Sequence, residues 1–541
     1  MSRSRVLFTL CLAVLIAQLD TSVVNLAMRR IGTDLGAGVS TLQWVMDAYN
    51  LAYASLLLTG GTLGDLYGRR RLFVLGILAF AAGSVVCGVA PGAAVLIAGR
   101  ALTGLGAALA LPTSLAIIAD VYRDGTERAR AIGVWASCNG VALAIGPSIG
   151  GLLMDWTGWR GIFLVVVPVA LLAVVLALRC VPESASPEGR HLDAKGQALA
   201  VLGLTLLAVA VIEGPRWTWT AWPTLGCGGA SVAALLGFVH VERRGASPMV
   251  PLALFRSAPF SAALVVASMM TFSTYAMLFL LPIALQSAHG LGVRVAGLAM
   301  LPMALAFVVV SRNSGTLVGR FGARATLAAG MACMAAGALA MSVAGSATPA
   351  IWLVAASLLS GVGLGLAGGP VMAVAVARVP ADRAGTASGL GNTARMLGAT
   401  LGVAVLGAVF AGHAGTATAD PAAIVAGFRA AMRGSAAAAS LGAVLALAFI
   451  GRDGHLATDR IRAASSGRAG AVLREIGWYL ADSPRSRGRQ RELLRAMDDR
   501  MLRDIGLTRY DAMQAADRDQ TLAPSIRSPS RSQVLPFQRI I

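Results

Sequence analysis

Gly61-Thr62-Leu63-Gly64-Asp65-Leu66-Tyr67-Gly68-Arg69-Arg70, continued by Arg71, stands between two long apolar runs, and the chain returns to it as Gly315-Thr316-Leu317-Val318-Gly319-Arg320-Phe321-Gly322-Ala323-Arg324. Glycine at 60, 61 and 64 lets a neighbouring helix approach closely, and Gly68 permits a tight turn. Asp65 can accept hydrogen bonds from an arginine or from a helix N-terminus. If that contact holds one face of the molecule shut, Gly61, Asp65, Gly68, Arg69 and Arg70 form a gating loop. The other reading is a basic loop that only sets topology. In the second copy Gly319 replaces the acidic Asp65, so the carboxylate belongs to one copy alone.

Working outward, both copies end an apolar run of membrane-spanning length. Of the 541 residues, 56% are hydrophobic and 13% charged, with a mean hydropathy of +0.72. Soluble domains carry about 25% charged residues. Runs of about 20 apolar residues recur to residue 451, each long enough to cross a ~30 Å hydrocarbon core. They lack the strict alternation of barrel strands, so they read as helices. The expected spans are 6–27, 44–64, 72–90, 94–119, 128–153, 160–181, 195–213, 223–241, 258–281, 294–313, 325–344, 350–377, 385–411 and 432–451. The two loop copies follow the second and the tenth span, which implies six-helix repeats with two helices inserted between them. The chain then divides into an N-terminal bundle (1–193), two linker helices (194–257), a C-terminal bundle (258–451) and a tail (452–541). Duplication of this kind places a substrate site between the halves.

A net charge of +19 invites a nucleic-acid reading, but the basic residues sit mainly in loops on every second side. Counting from an inside N-terminus, about nineteen Lys/Arg fall on the cytoplasmic side and about seven outside, with the tail left out. That bias places both termini in the cytoplasm. The Trp217, Trp219, Trp222 cluster falls at the outer interface, where an aromatic belt belongs. Cys11, Cys87, Cys138, Cys180, Cys227 and Cys333 are scattered without metal-ligand spacing or a disulfide framework. The first run lacks a convincing cleavage site and reads as an uncleaved helix.

Charges inside spans are the sharper clue, because each costs about 2.5–3.5 kcal/mol or more at a helix centre. Asp20 lies on an outward-running helix and Arg100 on an inward-running one. At 1.5 Å per residue they reach similar depth in the outer half. Such a pair can carry a proton through a transport cycle or can fix helix packing as a static ion pair. Asp47, near Tyr49 and Asn50, is either a second proton site, a contact for a cationic substrate, or an interfacial residue hydrated from outside. Arg395, beside Asn392 and Thr393, suits pairing or anion contact in a cavity better than lipid exposure. Ala142, Gly146, Pro147, Gly150 and Gly151 give one helix a flat, bendable face.

Taken in order, these stretches resemble the major facilitator superfamily, and within it the fourteen-helix drug:proton antiporters of the EmrB/QacA type, from about residue 6 to 451. Leu19-Asp20-Thr21-Ser22-Val23-Val24-Asn25-Leu26-Ala27 is similar to that family's LDxTIVNVALP. Trp44-Val45 with Ala48-Tyr49-Asn50-Leu51 is similar to its WVxxaYxL, and Gly61 to Arg71 to the superfamily's signature loop. Arg100, Gly104 and Gly106 match an RxxQGxG pattern whose arginine the family uses in proton transfer, with Thr103 in place of glutamine. Gly146-Pro147 with Gly150-Gly151 matches the GPxxGG stretch associated with exporters. Trp159-Arg160, Phe163 and Pro168 also fit, with Val166 where asparagine is usual. So do Leu281-Pro282, Gln286, Gly297, Pro302 and Ala384-Gly385-Thr386-Ala387-Ser388-Gly389.

The resemblance implies an all-α polytopic fold in a bacterial inner membrane and proton-coupled efflux of small amphipathic compounds by alternating access. The proton would bind at Asp20, with Asp47 as the second candidate and Arg100 modulating the carboxylate, and Asn25, Tyr49, Asn50 and Arg395 are cavity candidates. The energy source would be the proton motive force, with no cofactor, metal or catalytic residue. Partners would be a small-molecule substrate, the lipid bilayer and a periplasmic adaptor protein. The other readings are a dedicated exporter or importer of one metabolite and a transporter-like sensor signalling through its tail. No GxSxG, paired histidine ligands or Walker sequence supports an enzyme. In the tail, Arg491-Glu492-Leu493-Leu494 through Arg509 resembles the small Arg-rich YjiS-like domain, placed at about 473–520. It is open to RNA, anionic lipid or a regulatory protein as partner.

Overall fold

The computed structural model describes residues 3–186, 193–244, 250–377, 379, 384–414 and 421–451. The tail, with its YjiS-like segment, lies outside them. With no water in a bilayer core, a lipid-facing chain must satisfy its backbone internally, and every long element here is a helix. In order these are α1 (Arg3–Leu35), α2 (Val39–Tyr67), α3 (Arg69–Gly88), α4 (Ala93–Val121), α5 (Gly125–Leu164), α6 (Val166–Cys180), α7 (Ala194–Trp217), α8 (Trp222–Arg244), α9 (Ala258–Ile283), α10 (Val293–Ala299), α11 (Leu301–Ser342), α12 (Ala350–Ala377), α13 (Ala384–Ala414) and α14 (Pro421–Phe449).

Among the described residues, 11 helical stretches are long and apolar enough to cross a membrane. Two of these contain a glycine turn and hold two crossings each: α5 bends at Gly158 (φ 67°) and α11 at Gly322 (φ 82°). The 29-residue α2 is as long but more polar, and it completes the fourteen expected crossings. Gly68 (φ 107°) and Gly322 occupy matching places in the repeated loop, each turning one crossing into the next. Only glycine adopts such a backbone freely.

One boundary needs correction. α14 begins at Pro421 and not near 432. Arg429 and Arg433 interrupt the apolar pattern, but Arg429 Nε donates to the Ser342 carbonyl at 3.0 Å, so the helix holds this charge against a neighbour. α1 likewise runs on to Leu35, past Arg29 and Arg30.

The crossings stack so that one end of the molecule carries the Gly68 turn and the other the Gly36 turn between α1 and α2. At the Gly36 end a single apolar core runs through both bundles, joining Leu26, Ile31 and Met46 of the first to Phe279, Met300 and Phe410 of the second. Towards the Gly68 end the core divides. One part, with Leu10, Phe73 and Phe80, lies mainly in the first bundle and takes in Met396 of α13; the other, with Phe260, Leu327 and Val371, lies mainly in the second, with Leu58 of α2 against it.

The linker helix α7 lies along the seam where α2 meets α13. Polar contacts fasten it to α2: Gln197 Nε2 donates to the Ser55 carbonyl at 2.8 Å, Thr59 donates to Gln197 Oε1, and Trp44 Nε1 donates to Glu213 Oε1 at 2.9 Å. Towards α13 it presents only small apolar contacts, with Ala208 and Ile212 packed beside Leu51 and Ala404. α8 leaves Leu225, Val232 and Leu236 exposed, as a lipid-facing helix should.

Candidate functional site

A polar layer separates the shared core from the divided ones. Its first element is the pair anticipated between α1 and α4. Gly60 and Gly104 let α2 and α4 touch backbone to backbone; a Cβ at Gly104 would lie 2.4 Å from the Tyr49 carbonyl oxygen. That approach brings the Arg100 guanidinium over the Tyr49 ring at 4.6 Å and lets Arg100 Nε donate to the Val45 carbonyl at 3.0 Å. Arg100 Nη1 donates to Asp20 Oδ2 in a fully buried salt bridge. Asp20 Oδ1 and Arg100 Nη2 are left without hydrogen-bond partners. Asn25, one turn along α1, donates to the Thr21 carbonyl at 2.9 Å, and its own side-chain oxygen is buried without a partner.

Asp47 has no such partner. Both of its carboxylate oxygens are buried and unbonded, and the Asn50 amide one turn on is the polar group within reach. Its position follows from its neighbours. Gln43 Nε2 donates to the carbonyls of Val403 and Ala404 at 3.0 and 2.9 Å, and Leu58 lies against Gly389. Residues 43, 47, 50, 54 and 58 share one face of a helix, so Asp47 and Asn50 lie on the face that α2 turns towards α13. This face is the seam between the two bundles.

Arg395 lies on the same seam from the other side. Its Nε is buried without a partner. Met396, the next residue, packs in one cluster with Tyr53 of α2, and Tyr275 of α9 lies against that cluster. Tyr53 in turn sits 6.1 Å from Tyr49, ring centre to ring centre. A line of aromatic and charged groups thus runs from the Asp20–Arg100 pair in one bundle to Arg395 in the other.

The glycine stripe of α5 packs on two sides. A Cβ at Gly146 or Gly150 would come within 2.5 Å of Ser22 or Val23 on α1, and one at Gly297 of α10 would lie 2.4 Å from the Pro147 carbonyl oxygen. Gly151 faces Val293 and Arg294 of α10. The stripe therefore clamps α1 and closes the first bundle onto the second at the Gly36 end. Two hydrogen bonds finish that closure: Arg29 Nη1 donates to the Gln286 carbonyl at 2.8 Å, and Gln286 Nε2 donates to the Leu26 carbonyl at 3.2 Å.

At the opposite end, Asp65 is paired with Arg69 at 2.8 Å, and its carbonyl accepts from the Ser186 N–H at 2.9 Å. Arg69 N–H donates to the Ser184 carbonyl, and Arg70 N–H to Glu183 at 3.0 Å. These partners all belong to the first bundle. Gly61 rests on Pro112 of α4. These contacts brace the loop against its own bundle.

Sequence reading missed Gln43, Tyr53, Tyr275 and the Trp44–Glu213 contact. Tyr53 follows Tyr49 by one helical turn, which was a usable signal. Gln43 and Tyr275 carried none, since their partners lie in other helices.

Comparison with known proteins follows this geometry. The chain is 39% identical over 393 residues to the multidrug resistance protein Stp of Mycobacterium tuberculosis, covering 73% of each. It is 37% identical over 413 residues to a probable actinorhodin transporter of Streptomyces coelicolor, covering 74% of this chain and 71% of that one. With the tetracenomycin C resistance and export protein of Streptomyces glaucescens it shares 35% identity over 418 residues and 76% of each chain. Among solved structures, a peptide transporter POT in complex with sulfate superposes with a TM-score of 0.62 at 18% identity, covering 84% of this chain and 95% of that one, a likeness of fold alone. In the tail, residues 485–512 match a YjiS-like domain, within the stretch expected from sequence. Residues 10–403 match the model of the Major Facilitator Superfamily, and the chain belongs to that superfamily.

Proposed function

We propose that this protein exports small amphipathic compounds across the bacterial cytoplasmic membrane in exchange for protons, by rocking its two bundles about the polar layer. One observation supports the reading: the core at the Gly36 end draws on both bundles throughout, whereas towards the Gly68 end it separates into two clusters, each mainly of one bundle. A transporter caught in one of its two access states has this asymmetry. The basic loops assign the Gly68 end and both termini to the cytoplasm, so the described state is closed to the outside. Drug resistance and export in the names of the relatives support the direction and the cargo. An apolar cavity of ≈ 10 Å³, lined by Pro147, Leu278, Met300, Met303, Phe307 and Leu364, lies between the bundles, and it would have to widen as the bundles rock to admit a compound.

The geometry favours Asp47 over Asp20 as the proton carrier. Asp20 is already neutralised by Arg100, whereas Asp47 lies buried in a seam that must open and close. An ionised carboxylate there would carry a penalty of several kcal/mol, more than the two Gln43 bonds return at about 1 kcal/mol each. Protonated, Asp47 can stay in the closed seam. Loss of that proton to the cytoplasm would favour opening, with substrate then carried outward. The Asp20–Arg100 pair and the Tyr49 ring would hold α1, α2 and α4 as one rigid body through the cycle.

The test is energised efflux in a bacterial strain deprived of its own pumps, with a panel of aromatic antibiotics of both charges. Expression should raise the tolerated concentration severalfold for part of the panel. A protonophore, or Asp47→Asn in a correctly inserted protein, should abolish that gain. Unchanged tolerance throughout, from a well-inserted wild type, would refute the export reading.

A further inference from the structure

The polar layer also bears on what kind of molecule the protein carries, a question that rests on the export reading but goes beyond it. From residue 258 to residue 451 the sequence holds two acidic residues, Asp382 and Asp420, and neither lies in a described helix. No membrane helix of the second bundle therefore contains a carboxylate. Arg395 nonetheless sits within α13, partly buried, with its Nε unbonded and no ion pair among the described residues. In the first bundle Asp20 is taken by Arg100, and neither oxygen of Asp47 has a hydrogen-bond partner.

Close packing places the groups around Arg395. A Cβ at Gly398 or Gly402 would lie 2.1 or 2.2 Å from the Ser268 or Phe272 carbonyl oxygen of α9, and Thr271 Oγ1 donates to the Arg395 carbonyl at 2.6 Å. This contact joins α9 to α13 at Arg395, and Tyr275, one turn on, packs against the cluster that holds Tyr53 of the other bundle and Met396, the residue after Arg395. One turn from Tyr275, Leu278 begins the apolar wall of the cavity between the bundles. A guanidinium without a counterion, two phenol hydroxyls and an adjoining apolar wall form one constellation.

We propose that Arg395, Tyr53 and Tyr275 form an anion-recognising subsite, and that the exported compounds are aromatic acids bearing a carboxylate or phenolate. The guanidinium fork matches a carboxylate in two parallel hydrogen bonds. The tyrosine hydroxyls donate to the remaining lone pairs, and the apolar wall takes the aromatic body. A cationic compound in the same place meets like charge at low dielectric, so the site discriminates by repulsion as well as by attraction.

The test uses the purified full-length protein in lipid nanodiscs, with fluorescein as the anionic aromatic probe and ethidium as the cationic one, each followed by fluorescence anisotropy. Wild type should bind fluorescein more tightly than ethidium. Arg395→Gln should weaken fluorescein binding by about ten- to a hundredfold and leave ethidium unchanged or improved, and Arg395→Lys should weaken fluorescein binding less. If Arg395→Gln does not stay monodisperse, Tyr275→Phe and Arg395→Lys carry the test, each with a loss of about three- to tenfold. No fluorescein binding by wild type, a preference for ethidium, or fluorescein affinity indifferent to these changes would overturn the proposal. Proteoliposomes with an imposed pH gradient separate it from the export reading. Arg395-dependent fluorescein binding without gradient-driven movement would keep the subsite and refute export. Gradient-driven ethidium movement with fluorescein binding indifferent to residue 395 would keep export and refute the subsite.

Discussion

Replacing Asp20 by asparagine should destabilise the first bundle far more than a surface change of the same size. The side chains of Arg100 and Asp20 are 0% and 1% exposed, so neither charge can turn to solvent when its partner is lost. Removing one member of a buried pair costs about 3–5 kcal/mol. An asparagine oxygen can still accept from Arg100 Nη1, and a neutral acceptor supplies roughly half the strength of a charged one. The Val45 carbonyl and the Tyr49 ring hold the guanidinium in both proteins and cancel from the difference. The expected loss is therefore near the lower bound, about 3 kcal/mol. Adding Arg100→Gln removes the stranded charge, and the double variant should recover to within about 1–2 kcal/mol of wild type. Equilibrium unfolding in mixed micelles titrated with dodecyl sulfate, followed by helical circular dichroism, gives all four corners of the cycle. A loss below about 1 kcal/mol for Asp20→Asn, or simple additivity in the double variant, would refute the buried-pair reasoning.

Asp47→Asn should behave differently: it breaks no salt bridge and strands no opposite charge, so it should destabilise less than Asp20→Asn while energised efflux disappears. Gly297→Ala places a methyl against the Pro147 carbonyl, 2.4 Å away, so spin labels at the exposed positions Thr33 and Val295 should report a longer mean distance across the Gly36 end. Gly68→Ala and Gly322→Ala both force a side chain into a positive-φ backbone, at roughly 1–2 kcal/mol. Only at Gly68 does the new Cβ also press Glu183 Oε1, at 2.9 Å, and disturb its bond from the Arg70 N–H. Gly68→Ala should then be the more destabilising by about 1 kcal/mol in the same micelle titration.

What the sequence determined by itself was whatever depends on neighbours along the chain. Transfer of an apolar run into lipid depends only on the residues in that run, so the crossings were legible, and so was the duplicated turn whose Gly68 and Gly322 share a positive φ. Depth along a straight helix is arithmetic, which is why Asp20 and Arg100 could be matched before any coordinates. The same one-dimensional rule misplaced the start of α14, because Arg429 finds its acceptor at Ser342, in another helix. Tertiary structure alone decided which end is sealed, since Gln43 meets Val403 across 360 residues and Gln286 meets Leu26 across 260. It also decided that Asp20 is in a salt bridge while Asp47 is not, and that Tyr53 and Tyr275 gather at the seam with Met396. The price of an intramembrane charge is written in the sequence, but the group that neutralises it, or fails to, depends on helices brought together only by folding.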